Sequence, residues 1–177
     1  MTAMNTSGAL HLGELTDADR AGWEPLACGY KAFYETEVSA AGYDEAWARL
    51  RGGGLMLGLG AWLPADPADQ PAGQPGQPGH LGQPDRLVGI AHAVFHGSIW
   101  ADQVCYLQDL FVDPAVRGQG VAAALIEHLA GCARARGAAR YFWLTHETNA
   151  RARGLYDRVA KHHGFLRYDY PLAPLPG

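Results

Sequence analysis

Apolar positions along this chain recur with two different periods, and their alternation predicts the elements. Leu10, Leu12 and Leu15 sit near a first short strand, ended by Thr16-Asp17. Thr16 or Asp17 can cap a helix over about Ala18–Tyr34. A second helix over Tyr43–Leu50 stops at Gly52-Gly53-Gly54, and Leu55–Leu63 then reads as a strand. Leu87–Phe95 alternates loosely and Val104–Val112 follows it, both as strands. The strongest helical signal runs over Gly118–Arg136, where Val121, Leu125, Leu129 and Cys132 fall on one stripe with Ala122 and Ile126 beside it. Gly137 ends that helix. Arg140–Thr145 reads as a short buried strand. Asn149 can cap a helix over Ala150–Lys161 with Ala152, Leu155, Tyr156 and Val159 on one face. Gly164 stops it, and Phe165–Leu172 reads as a last strand. The order β-α-α-β-β-β-α-β-α-β describes an α/β chain with antiparallel hairpins first and a β-α-β crossover after.

Two stretches break the pattern. Residues 1–8 read as a disordered tail. Residues 64–86 hold six of the eleven prolines, repeat Gln-Pro-Gly units, and contain Leu81 as their only large aliphatic residue. Such a composition cannot bury a core. Because both flanks read as strands, the stretch is an overgrown hairpin connection inside one domain covering 1–177.

Chemistry concentrates between Tyr106 and Ala122. An apolar strand ends at Asp113-Pro114, a glycine-bearing loop follows, and a helix opens directly behind it. The free N–H groups of a first helical turn and the helix dipole together favour an anion there. Gly118 and Gly120 let backbone approach a phosphate, and Arg117 can add a charged contact. A Walker loop is excluded because Val121-Ala122 stands where Lys-Ser/Thr is needed, and a dinucleotide fingerprint lacks its third glycine.

Composition narrows the partners. With 48% hydrophobic and 18% charged residues, the chain has the make-up of a soluble globular protein. A net charge of −4 offers no global attraction to nucleic acid or an anionic membrane. No signal-peptide pattern opens the sequence, no apolar run approaches a membrane span, and Cys28, Cys105 and Cys132 have no paired spacing. A cytoplasmic protein with free or buried thiols is the expectation. No Cys/His spacing among the eight histidines fits zinc, so no metal is expected.

The pattern Arg117-x-x-Gly120-x-Ala122 resembles the pyrophosphate loop of the GNAT superfamily of acetyl-CoA-dependent N-acetyltransferases. The element order is similar too, over roughly residues 9–172. Leu107-x-Asp109-Leu110-Phe111-Val112 precedes the loop, Asn149 opens the next helix, Tyr156 follows seven residues later, and Gly164-Phe165 matches the family's usual closing pair. With Trp143-x-Thr145-x-x-x-Asn149, the chain looks most like small polyamine- and protein-amine acetyltransferases.

The resemblance implies a mixed sheet with helices on both faces, in which the parallel strands Val104–Val112 and Arg140–Thr145 splay apart at their C-terminal ends. Backbone groups of Leu110, Phe111 and Val112 would bond the pantetheine arm of acetyl-CoA. The N–H groups of Gly118, Gln119, Gly120, Val121 and Ala122, with Arg117, would hold the pyrophosphate, and Asn149 would touch the arm. The amine, with a pKa near about 10.4, must lose a proton before attack. A backbone N–H near Phe111 or Val112 would stabilise the developing oxyanion. Tyr156 is the implied proton donor to the leaving thiolate, although full transfer from a phenol at about 10 to a thiol at about 8.5 is uphill by roughly 2 kcal/mol. Read from periodicity alone, Tyr156 is a core tyrosine.

The base is less defined. Related polyamine-type members carry a carboxylate directly before the strand aspartate, whereas here Gln108 stands there and cannot accept a proton. Strand alternation sends Asp109 to the opposite face. Glu35, Glu37 and Glu147 are other acids able to reach the cleft mouth, and a water chain is a further route. Trp143 and His146 complete the candidate substrate residues with Gln108, Asp109 and Glu35. Few residues follow Gly164, and prolines among them discourage a second closing strand, so either the family's closing hairpin is truncated or a partner chain completes the sheet, and a homodimer is expected. The substrate is a small amine or polyamine, with a protein lysine or N-terminus as the alternative. A catalytically idle acyl-CoA sensor is the rival of a different class.

Overall fold

The structure, a computed structural model, describes residues 10–64, 85–170 and 172. The expected tail over 1–8 and most of the 64–86 stretch lie outside these residues. The chain divides into two compact units, Met1–Leu144 and Thr145–Gly177.

The first unit is built on a five-stranded sheet in the order β1-β2-β3-β4-β5. Strands β1 (His11–Glu14), β2 (Met56–Leu63), β3 (Arg86–Ser98) and β4 (Ala101–Val112) pair antiparallel in sequence. Strand β5 (Tyr141–Trp143) pairs parallel to β4. Helices α1 (Arg20–Phe33) and α2 (Ala40–Arg51) connect β1 to β2, and α3 (Val121–Ala135) connects β4 to β5.

Alternation along β3 shows that helices cover both faces. Ile90 joins Trp23, Leu26 and Ala27 of α1 and Leu50 of α2 in one buried cluster. A Cβ on the neighbouring Gly89 would instead meet Val121 and Leu125 of α3. The predicted α3 stripe is therefore real: Val121, Leu125, Ile126 and Leu129 are all buried. The α/β mixed sheet with helices on both faces expected from the sequence is present, with five strands.

Local chemistry sets the helix ends. The Asp19 carboxylate accepts from the Thr16 N–H and hydroxyl, which fixes the short 3-10 turn Asp17–Asp19 leading into α1. Helix α2 starts at Ala40 rather than Tyr43 because Ser39 accepts from the Gly42 N–H at 3.2 Å, a cap the periodicity did not reveal. At the end of α1, Thr36 N–H bonds to Lys31 O and Glu35 N–H to Ala32 O. This is a Schellman closure with Glu35, at φ 52, in the left-handed position usually given to glycine.

Two expectations about strands need correction. Strand β5 covers only Tyr141–Trp143 and is not fully buried, because no described strand borders its other side. Phe165–Leu172 forms no strand among its described residues, and Phe165, Leu166, Tyr168 and Tyr170 stand exposed. Apolar alternation alone cannot make a strand where the backbone has no ladder partner; the Arg167 guanidinium and Asp169 instead close a local pair at 2.7 Å.

The second unit is described by α4 (Ala150–Val159) and the segment after it. Asn149 caps α4, its Oδ1 accepting from Ala152 N–H at 3.2 Å and its Nδ2 donating to Thr145 Oγ1 at 3.3 Å. Ala152, Leu155 and Tyr156 are half-buried on one face.

Candidate active site

Two features of β4 create the site. The first is where its partner stops. Strands β4 and β5 pair only over Cys105–Leu107 and Tyr141–Trp143. Beyond that, β4 continues through Gln108–Val112 with no other described strand on the β5 side. The expected parting of the two parallel strands is thus in place, and along Leu110, Phe111 and Val112 the backbone has no described strand on that side.

The second feature is a bulge. Ala93 pairs with Leu107 and His92 with Asp109, so Gln108 is the extra residue. The bulge corrects the alternation argument. Asp109 does not turn away from the face that Tyr106 occupies. It points toward α1, as does Phe111, whose ring lies against Gly29. Gln108 itself is exposed at the bulge.

Beyond β4 the chain turns through a glycine loop into α3. Asp113 Oδ1 accepts from Ala115 N–H at 2.9 Å, and its Oδ2 accepts from Arg86 at 2.8 Å, which anchors the turn at Pro114–Val116. Gly118 and Gly120 have φ of 86 and 85, in the left-handed region that glycine adopts without strain. No side chain caps α3, and its first turn contains no acidic residue. The open N–H groups of Val121, Ala122 and the preceding glycines, with the dipole behind them, suit a pyrophosphate. Arg117 is folded back: its Nε donates to Val112 O at 3.1 Å and its guanidinium lies 5.5 Å from the centre of the Phe111 ring. Arg117 therefore ties the loop to the end of β4, and the charge stays beside Gly118. Next to it, a groove of about 370 Å³ is lined by Pro25, Leu26, Gly29, Phe33, Phe111 and Arg117, among others.

On the α1 side of β4 the structure assembles a polar cluster that sequence reasoning did not identify. Asp109 Oδ2 lies 2.9 Å from His92 Nδ1, and His92 Nε2 lies 2.8 Å from Trp23 Nε1. The Tyr30 hydroxyl lies beside the same carboxylate, Tyr34 stands close enough to feel its charge, and Tyr106 lies near both phenols. Burial works to raise the Asp109 carboxyl, but His92, Tyr30 and Lys31 around it outweigh it and hold it below the usual range. Burial and the Asp109 charge push the phenols of Tyr30 and Tyr34 up. The result is a fixed carboxylate among neutral aromatic hydroxyls. One faint sequence signal existed, since Trp23 and Tyr30 are seven residues apart on α1 and so share a face.

The remaining candidates fall elsewhere. Trp143 and Tyr141 share the α3 side of β5, where Tyr141 bonds to Ile126 O at 3.3 Å; it is Phe142 that stacks on Tyr106 with centroids 5.2 Å apart. Glu35 is exposed at the end of α1, and Glu37 is exposed in the following loop. In the second unit His146 and Glu147 are exposed and Tyr156 is half-buried on α4. His96 meets Gly97 O, and no group of three metal-ligating side chains occurs among the described residues.

Comparison with known proteins agrees with this geometry. The D-amino-acid N-acetyltransferase of Saccharomyces cerevisiae is 36% identical over 74 residues, 41% of this chain and 46% of the relative. The thialysine N-epsilon-acetyltransferase of Caenorhabditis elegans is 37% identical over 62 residues, 35% of this chain and 39% of its own length. The chain thus spans less than half the length of these curated relatives. A crystal structure of an aminoglycoside N-acetyltransferase in complex with CoA superposes with a TM-score of 0.73 at 13% identity, covering 93% of this chain and 96% of that one. That likeness speaks for the fold. The sequence profile of the acetyltransferase (GNAT) family matches residues 44–165, from α2 past the end of α4, and on that match the chain belongs to this family.

Proposed function

We propose that the chain is an acetyl-CoA-dependent N-acetyltransferase acting on a small primary amine that it recognises as a cation. The carrying observation is the Asp109 carboxylate, held by His92 and Tyr30 among aromatic residues just past the point where β4 and β5 part. The similarity to N-acetyltransferases of amino-acid substrates supports the same reading. Bound acetyl-CoA supplies the activated acetyl group. The glycine loop from Arg117 to Ala122 holds its pyrophosphate, and the edge at Leu110–Val112 receives its arm.

Asp109 is an anchor and not the base. A carboxylate held below its usual range is a poor proton acceptor for an ammonium near about 10.4. Its negative charge attracts the cation, and the proton leaves through solvent at the cleft. Gln108, exposed beside it, orients amine or water. Tyr156 serves the leaving sulfur, a role carried by its place seven residues after Asn149. Both units act as one catalytic domain, which the family match across 44–165 supports.

The test is acetyl-CoA consumption, read as thiol release, over polyamines, amino acids, aminoglycosides and lysine peptides, with calorimetric titration of CoA. Turnover on one class of small amine is expected. Tight CoA binding without turnover on any amine would instead identify an acyl-CoA sensor.

A further inference from the structure

The hydrogen-bond chain behind Asp109 has a direction, and the direction follows from its far end. The Trp23 indole can only donate. Its Nε1 lies 2.8 Å from His92 Nε2, so that nitrogen must present its lone pair. The single ring proton of neutral His92 then sits on Nδ1, 2.9 Å from Asp109 Oδ2. An imidazolium would set two N–H groups against each other at Nε2. The opposite neutral tautomer would do the same and, in addition, aim the Nδ1 lone pair at a carboxylate.

The surroundings hold this arrangement firmly. Trp23 is 2% exposed and packs its ring against Trp47 and Tyr43. The side chains of His92 and Asp109 are 15% and 16% exposed. Tyr30, two helical turns after Trp23, meets the same carboxylate. Helix α1 therefore grips the His92–Asp109 pair from both ends, and β3 and the β4 bulge bring the pair together.

We infer that Trp23 and His92 are positioning residues for the amine site: Trp23 locks His92 as the Nδ1–H tautomer, which donates to Asp109, and His92 thereby fixes the orientation of the Asp109 carboxylate that binds the substrate ammonium. The inference rests on the amine-site reading of Asp109. With Nε2 engaged by Trp23, His92 takes no proton from the substrate.

Two measurements test it. In the unmodified protein labelled with 15N-histidine, long-range 1H–15N correlation reads the tautomer of each ring. His92 is expected as Nδ1–H, moving toward Nε2–H in Trp23→Phe. In kinetics, His92→Asn keeps an amide donor near the Nδ1 position, whereas His92→Gln and His92→Phe do not. Asparagine is expected to stay within about 3-fold of the unmodified amine KM. Glutamine and phenylalanine are expected to raise it by about 10-fold or more, the loss of one hydrogen bond to a charged group, with the acetyl-CoA KM unchanged. If His92→Phe does not fold, the asparagine–glutamine pair carries the comparison.

An Nε2–H signal for His92 with normal turnover would overturn the lock alone. Equal amine KM values in all the His92 variants would overturn the positioning role. An Nδ1–H signal with no turnover on any amine would overturn the amine-site role together with the acetyltransferase reading.

Discussion

Gly29 and Gly131 both sit inside helices, and replacing each with alanine should have opposite effects. On propensity alone, either change stabilises a helix interior by about 1 kcal/mol. At Gly131 on α3 an added Cβ would meet nothing within 4 Å, so the full gain is expected there. At Gly29 on α1 the Cβ would lie 2.6 Å from Phe111 Cζ and 2.8 Å from Cε1. The ring must retreat, yet Arg117 lies over it and holds Val112 O through Nε. Overpacking of this kind costs about 1–3 kcal/mol, so Gly29→Ala should be destabilised by about 0–2 kcal/mol. The two variants should then differ by about 1–3 kcal/mol, or some 2–12 °C in melting temperature for a chain of this size. Because Phe111 leads directly into the glycine loop, calorimetric titration should show weaker CoA binding for Gly29→Ala and unchanged binding for Gly131→Ala. If Gly29→Ala proved as stable as Gly131→Ala and bound CoA normally, the packing of Phe111 under Arg117 would be refuted.

Other predictions follow the same logic. Asp109→Asn removes the anchoring charge while keeping the shape, so kcat/KM for the amine should fall by about 10–150-fold with CoA affinity intact, measured by steady-state kinetics and calorimetry. Glu35→Gly relieves a left-handed residue that costs an L-amino acid about 1–2 kcal/mol, partly offset by the flexibility of glycine in the unfolded chain; a net gain of about 0.5–1 kcal/mol should appear in denaturant melts. Unchanged amine kinetics in that variant would remove Glu35 from the substrate site. Burial raises the Cys105 thiol from 9.0 to about 11, so the unfolded chain ionises first and stability should drain away as pH rises through that window. Subtracting the profile of Cys105→Ala isolates this contribution. The exposed apolar residues after Gly164 are consistent with a homodimer, for which light scattering at micromolar concentration should give twice the chain's mass.

Much of this architecture could be read before any coordinates because its signals are local. The stripe of Val121, Leu125 and Leu129, the cap at Asn149 and the glycines flanking α3 each declare themselves within a few residues. The loop from Arg117 to Ala122 is legible for the same reason. What escaped depends on partners distant in sequence. Trp23 and His92 meet across 69 positions, and no periodicity announces that bond. Asp109 faces α1 only because Gln108 is bulged out of register, a fact fixed by pairing with β3 and not by β4 alone. The error at Phe165–Leu172 has the converse cause: its pattern suits a strand, but a ladder requires a neighbour. Glu35 breaks the preference for glycine at a helix end, so the Schellman closure of α1 carried no sequence mark.

The bulge at Gln108 carries one further consequence. A length of β4 with no described strand beside it is a template on which another extended chain can assemble, and proteins blunt such edges by twisting them or interrupting their register. Gln108 stands just where the unshared edge begins, projecting a polar side chain and breaking the regular spacing of N–H and C=O groups. A second copy of an unfolded chain therefore cannot zip onto β4 in continuous register, while a short ligand arm that needs only the last few groups still fits. The same irregularity that turns Asp109 inward thus also guards the open edge against aggregation.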